Sequence, residues 1–185
     1  MAIEDKIRWD DKYQNNPIPD TPIALVTDFA PRVAGKKALD IACGMGRHSR
    51  YLASLGYDVD ALDISSAAIQ TLQAIPYIHA KEVDFDSYDL HIGHYDLIIC
   101  TYFLKRELFP QIISALRDGG LCIYETFVYH PDNANSPSDR AFLLEPEELR
   151  RAFTEDCMIL YYQERWAEDM RGAKTMKASM VAQKN

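Results

Sequence analysis

The stretch KKALDIACGMGRHSRYLASLGYDVDALDIS runs from Lys36 to Ser65 and places two apolar runs around a glycine pair. Ala38 to Ala42 reads as a buried strand. Gly44 and Gly46 permit torsions and a backbone approach closed to other residues. Arg47 to Leu55 reads as a helix ended by Gly56. Tyr57 to Leu62 is a second strand, and Ser65 can cap a helix from Ser66 to Leu72. A turn in this position presents free N–H groups and a partial positive charge to a ligand.

The ligand can be narrowed by charge. A phosphate-binding loop of the G-x-x-x-x-G-K-[ST] type is absent from the sequence. A dinucleotide fingerprint would use Gly44 and Gly46, but its third glycine position is Ser49. Asp40 would also end the first strand close to a pyrophosphate and repel it. A cationic ligand reverses that argument. S-adenosylmethionine (SAM) carries an ammonium and a sulfonium, which Asp40 can favour unless its carboxylate instead stabilises the turn. Asp63, at the end of the second strand, suits a ribose diol. Arg47 suits the ligand carboxylate or a local cap. Asp84 or its neighbour Phe85 would lie against the adenine.

Outward from this unit the pattern stays regular. Tyr77 to Val83, Tyr95 to Thr101 and Leu121 to Thr126 read as strands, the middle one, YDLIICT, apolar enough to be buried on both faces. Leu108 to Leu116 is a helix, and EPEELRRAF starts another with Pro146 and two glutamates in its first turn. Met158 to Arg165 and Thr175 to Ala182 read as two closing strands, a possible hairpin. Before the unit, Ile3 to Tyr13 is an amphipathic helix with Ile3 and Ile7 one turn apart. NNPIPDTP is a connector, and Thr21 with Pro22 can open a helix through Phe29 that stops before Pro31. Alternating strands and helices predict a parallel α/β sheet, with ligands outside the strand carboxyl ends.

The 185 residues suffice for one domain, with 48% hydrophobic and 26% charged residues. The net charge of −8 is a poor match for nucleic-acid backbones or an anionic membrane surface. No segment is long and apolar enough to span a bilayer, and the polar N-terminus is unlike a signal peptide, so a cytoplasmic protein is expected. Cys43, Cys100, Cys122 and Cys157 form no C-x-x-C pair and read as reduced thiols. His91 and His94 in HIGH lack a third ligand nearby, so no metal site is expected.

From Lys36 to Glu125 the chain resembles the class I SAM-dependent methyltransferases. LDIACGMGRHS is similar to their first motif, VDALDIS to the acidic second, VDFD to the third and YDLIICTYF to the fourth. LRDGGLCIYETF is similar to their strand after a glycine turn. The chain departs at Ala42, where many members have a glycine. RWDDKY near the start resembles the small tellurite-resistance and thiopurine-type members. The resemblance implies a Rossmann-like three-layer sandwich, with a mostly parallel seven-stranded sheet and an antiparallel closing strand. It implies one domain over 1–185, with an N-terminal helical cover at 1–30 and a SAM-binding core at 36–126. The implied SAM site is Trp9, Tyr13, Asp40, Ala42, Cys43, Gly44, Gly46, Arg47, Asp63, Ile64, Asp84, Phe85 and Cys100, with S-adenosylhomocysteine (SAH) as product.

Methyl transfer from a sulfonium relies on positioning and desolvation and needs a base only for a protonated acceptor. Tyr102, Arg106, Glu125, Tyr129 and His130 follow strands whose ends should face the methyl group, which makes them the catalytic candidates. Val128 to Leu144, long and polar, is the candidate lid. Arg106 with Arg140 would favour an anionic acceptor, and Tyr102 with Tyr129 would wall it. CTYFLKR lacks the Asn-Pro-Pro-Tyr motif of exocyclic-amine methylation. The expected function is methylation of a small molecule, such as a thiol, a chalcogen oxyanion or a heterocycle. The alternatives are a nicotinamide-dependent oxidoreductase and a non-catalytic SAM-binding regulator.

Overall fold

A computed structural model describes residues 3–16, 19–168 and 172–185. Pro17 and Ile18 of the expected connector, and 169–171 of the expected closing hairpin, lie outside the described residues. The strands are β1 (Lys37–Ile41), β2 (Asp58–Asp63), β3 (Ile78–Glu82), β4 (Tyr95–Thr101), β5 (Leu116–Phe127), β6 (Cys157–Glu168) and β7 (Lys174–Lys184). The helices are α1 (Ile3–Asn15), α2 (Ala24–Phe29), α3 (Arg47–Ser54), α4 (Ser66–Gln70), α5 (Leu108–Ala115) and α6 (Glu148–Phe153).

One sheet holds all seven strands in the order β3-β2-β1-β4-β5-β7-β6. The pairs from β3 to β5 are parallel, whereas β7 is antiparallel to both β5 and β6. The expected three-layer α/β architecture is present. The expected antiparallel strand is β7. β7 is inserted between β5 and β6, and its burial pattern explains why. Ala178, Met180, Val181 and Ala182 are all buried and need neighbours on both sides. The more exposed β6 takes the edge.

Strand alternation divides the core between two faces. Ala38, Leu97, Ile99, Leu121, Ile123 and Val181 pack toward α2 and α3 with Val26 and Leu52. Leu39, Ile41, Ile98, Cys100, Cys122 and Tyr124 pack the other way, with Ile112 of α5 and Phe153 of α6. A residue's parity along its strand therefore decides which half of the molecule it serves.

Ser65 caps α4 as expected, its Oγ accepting from the Ala68 N–H at 3.1 Å. Four local expectations are corrected. Thr21 does not cap α2, because its hydroxyl bonds Asp20 while the Ile23 N–H finds His48 Nε2 at 3.4 Å. After α2 the chain winds on as a 3-10 turn at Ala30–Arg32, where Pro31 is tolerated because the first N–H groups have no intrahelical partner. Glu147 precedes α6 in a left-handed conformation, so only Glu148 lies in its first turn. Gly119 and Gly120 fall inside β5, where the pairing with β4 jumps from Tyr95↔Leu116 to Leu97↔Leu121. Among the described residues, no helix is long and apolar enough to cross a membrane.

Candidate active site

Strand order reverses between β1 and β4, and a cleft of about 820 Å³ opens at their carboxyl ends. Its floor is the turn from Ala42 to Arg47, where Ala42, Gly44 and Gly46 are all left-handed, at φ 52, 54 and 76°. Asp63 holds this turn in place. One carboxylate oxygen accepts the Gly44 N–H at 2.7 Å and the other the Ser65 N–H at 2.9 Å. Burial raises the Asp63 carboxyl above its ordinary value. Ile64 and Phe85 supply apolar wall beside it.

The cover is α1, and its docking differs from the expectation. Ile3 and Ile7 remain exposed at 79% and 63%, so the apolar stripe does not attach the helix. A polar face does so instead. Asp10 accepts from Ser65 Oγ at 2.5 Å, Ser66 Oγ at 3.3 Å and the Ala67 N–H at 3.1 Å, at the start of α4. Lys6 reaches Ser66 and pairs with Glu82. Trp9, Lys12, Tyr13 and Asn16 then line the cleft. Tyr13 covers the turn so closely that a Cβ on Gly44 would lie 2.7 Å from its hydroxyl.

Three expected cofactor contacts fall outside the cleft. Asp40 shares the parity of Ala38 and points toward α3. Its Oδ2 accepts from the Ser49 N–H at 3.1 Å and Ser49 Oγ at 2.6 Å, and burial pushes its carboxyl up to about 7. It braces the first turn of α3 behind the glycine turn. Cys100 shares the parity of Ile98 and is buried on the opposite face. Asp84 closes its own turn by accepting the Asp86 N–H, and only its neighbour Phe85 lines the cleft.

The catalytic candidates also separate. Tyr102 lines the cleft at the end of β4. Regular alternation would send its ring after Cys100, but its φ of 56° turns it to the α3 side. There its hydroxyl donates to Glu125 Oε1 at 2.7 Å, and Lys177 Nζ donates to that hydroxyl at 3.2 Å. Ser179 Oγ donates to Glu125 Oε2 at 2.6 Å, and Arg165 lies 3.6 Å from the same oxygen. The Arg47 guanidinium sits 5.3 Å from the Tyr102 ring centroid. Burial, then the nearby Arg165 and Arg47, lower the Lys177 value.

Arg106, Tyr129 and His130 lie elsewhere. Arg106 forks onto Glu148 at 2.6 and 2.9 Å and donates to the carbonyls of Ala141 and Leu143. Arg140 pairs with Glu145 and stacks 3.6 Å from the Tyr129 ring centroid. His130 packs on Trp166, 4.8 Å between centroids. The 128–144 segment is tied beside the hairpin by Asn133, whose Nδ2 donates to Val128 O and whose Oδ1 accepts from the Met176 N–H, each at 2.8 Å.

Sequence reasoning missed several cleft residues. Lys12 and Asn16 lie one helical turn from Trp9 and Tyr13, a spacing that could have found them. His48 shares the cleft wall, and burial and Arg47 hold it neutral by lowering its value to about 3. Lys177, which bonds the cleft residue Tyr102 without lining the cleft itself, carried no local signal, since 75 residues separate the two.

The sequence matches the family described as Tellurite resistance protein TehB over residues 1–177. A protein of Eikenella corrodens named Hemagglutinin 1 is 30% identical over 157 residues, 78% of this chain and 51% of its own length. The probable S-adenosyl-L-methionine-dependent methyltransferase TehB of Haemophilus influenzae is 30% identical over 176 residues, 86% of this chain and 61% of its own length. The crystal structure of TehB from Haemophilus influenzae superposes with a TM-score of 0.77 at 26% identity, covering 97% of this chain and 67% of that one. The chain spans about half to three fifths of the length of these two curated relatives. It belongs to the TehB family.

Proposed function

We propose that the chain transfers a methyl group from SAM to a small-molecule acceptor and releases SAH. The observation that carries this reading is the left-handed Gly44–Gly46 turn, open to the cleft between Arg47 and Asp63. The residues present fit SAM. Asp63 accepts backbone N–H groups on both oxygens and lines the cleft at the end of β2, the place of a ribose-binding carboxylate. Ile64 and Phe85 suit the adenine, and Arg47 at the start of α3 suits the carboxylate. SAM supplies an electrophilic methyl on a sulfonium. The chain would position that methyl and exclude water from it under Trp9 and Tyr13.

The acceptor belongs beside Tyr102, where Arg47 and Lys177 favour a thiol, a chalcogen oxyanion or another acceptor that is anionic when it reacts. The expected Arg106–Arg140 pair has no part in this reading, because both side chains are engaged away from the cleft. The 128–144 segment is the proposed lid, held to β7 through Asn133, Ala134 and Asn135. A net charge of −8 supports a partner other than nucleic acid, and four free cysteines support the cytoplasm. A nicotinamide-dependent oxidoreductase would need the third glycine of its fingerprint, where this chain has Ser49 bonded to Asp40. A non-catalytic SAM-binding regulator would leave the polar network at Tyr102 without a task.

Calorimetric titration with SAM, SAH and NAD tests the reading. SAM and SAH should bind and NAD should not. Binding of NAD without SAH would falsify it.

A further inference from the structure

We propose that Tyr102 is a catalytic residue that passes the proton of an acceptor's O–H or S–H group to Glu125. The inference rests on the methyltransferase reading and extends it to acceptors that are protonated at neutral pH.

Three observations converge on this step. Tyr102 is the member of the polar network that lines the cleft, and it does so through a left-handed φ that a bulky residue adopts only under constraint. Its N–H donates to the Glu125 carbonyl at 2.8 Å and its hydroxyl to the Glu125 carboxylate at 2.7 Å, so both ends of the strained residue are held by one partner. The hydroxyl oxygen also accepts from Lys177 and from Arg47, which itself lines the cleft, so a proton arriving from the cleft takes the lone pair that Arg47 yields.

The step is electrically inexpensive. As the acceptor gives its proton to the Tyr102 oxygen, the Tyr102 proton moves to Glu125 Oε1. No new charge is created. A negative charge moves outward from Glu125, past one hydroxyl, to the acceptor, and Lys177 and Arg47 stay beside it. Arg165, at 3.6 Å, pairs with Glu125 only loosely, and Ser179 holds the other oxygen. The acceptor oxygen or sulfur then bonds to the methyl carbon while the carbon–sulfonium bond breaks with its electron pair left on sulfur. The proton on Glu125 returns to solvent after product release.

The probes are benzyl mercaptan and catechol, protonated at neutral pH, and 4-nitrothiophenol, already ionised. SAH formation is followed for the wild type, Tyr102→Phe and Glu125→Gln. Transfer to the protonated probes should fall about 100-fold in both variants, in line with the loss of general-base assistance. Transfer to the ionised probe should fall only a few-fold. A second readout needs no turnover. With SAH bound, 4-nitrophenol should show the absorbance of its ionised form more strongly on the wild type than free in solution, and both variants should lose that excess. SAH titration and thermal unfolding establish that each variant retains its fold and donor site. Equal losses on ionised and protonated probes, no loss on either, or no transfer to a protonated probe by a wild type that binds SAH would each overturn the relay. Failure of the wild type to bind SAH would instead remove the methyltransferase reading itself.

Discussion

The cleft joins two halves that are built differently. The half beneath α1 is made from residues close in sequence: the turn from Ala42 to Arg47, Asp63 with Ile64, and Phe85. Its internal bonds span short distances along the chain, such as Gly44 to Asp63 and Asp40 to Ser49. The half around Tyr102 gathers Glu125, Arg165, Lys177 and Ser179 from three further strands. A local unit can be inherited whole and reads as a motif. A site assembled across strands depends on topology, here on the insertion of β7 between β5 and β6. On the proposed reading the first half fixes which donor binds, and the second is free to vary with the acceptor.

The glycines offer the largest contrast. Gly46 and Gly119 both have φ near 77°, at 76 and 77°. A Cβ on Gly46 would lie 2.5 Å from Leu72, whereas nothing lies within 4 Å of one on Gly119. Gly46→Ala should therefore cost about 2–4 kcal/mol, backbone strain plus overpacking. Gly119→Ala should cost about 1–2 kcal/mol of strain alone. Urea denaturation of both variants checks this, and equal losses would remove the packing argument.

Asp40 separates bracing from binding. Its folded value near 7 lies above that of an unfolded aspartate, so the folded state binds the proton more tightly. Its contribution to stability is complete below about pH 4 and is lost as pH rises through about 7. His48 runs the opposite way, since its value near 3 means stability is lost as pH falls below about 6.5. The two overlap, so the difference between wild type and Asp40→Asn is the informative quantity. It should change by on the order of 2–4 kcal/mol across that window, while SAH affinity stays within about threefold. A large loss of SAH affinity would return Asp40 to the binding site.

Asp10 tests the cover. Asp10→Ala removes three bonds to the start of α4 and should weaken SAH binding by about 0.5–2 kcal/mol, the range for losing a helix-capping group. The dissociation rate of SAH, followed by Trp9 fluorescence, should rise. An unchanged rate would mean that α1 does not hold the ligand. The smallest effect belongs to Arg106. Its forked pair with Glu148 is partly exposed, so Arg106→Met should cost no more than about 1 kcal/mol in thermal unfolding. Acceptor preference should not change, and a change would bring Arg106 back to the acceptor half.

This contrast also explains what the sequence made legible. Strand and helix positions followed from apolar runs, glycines and the Ser65 cap, because these are short-range signals. Gly44, Gly46, Arg47, Asp63 and Phe85 reach the cleft for the same reason. Asp40 and Cys100 were misplaced by face rather than by position, since strand ends point alternately to opposite sides of the sheet. Arg106 and Arg140 suggest an anionic acceptor by their place in the sequence, and only tertiary packing reveals Glu148 and Glu145 beside them. Ile3 and Ile7 suggested an apolar docking face, but hydrophobic spacing does not register a carboxylate that caps a distant helix. Lys177 and Arg165 reach Tyr102 and Glu125 only through the antiparallel pairing of β7 with its neighbours.

On the proposed reading the two halves work separately, one for the donor and one for the acceptor. Calorimetric titration of SAH into wild type, Asp63→Ala and Glu125→Gln tests it most directly. Asp63→Ala should weaken binding by about 1.5–3 kcal/mol, the range for a hydrogen bond to a charged group, and Glu125→Gln should leave it unchanged. Equal affinity for Asp63→Ala and wild type, or a comparable loss in Glu125→Gln, would contradict the division.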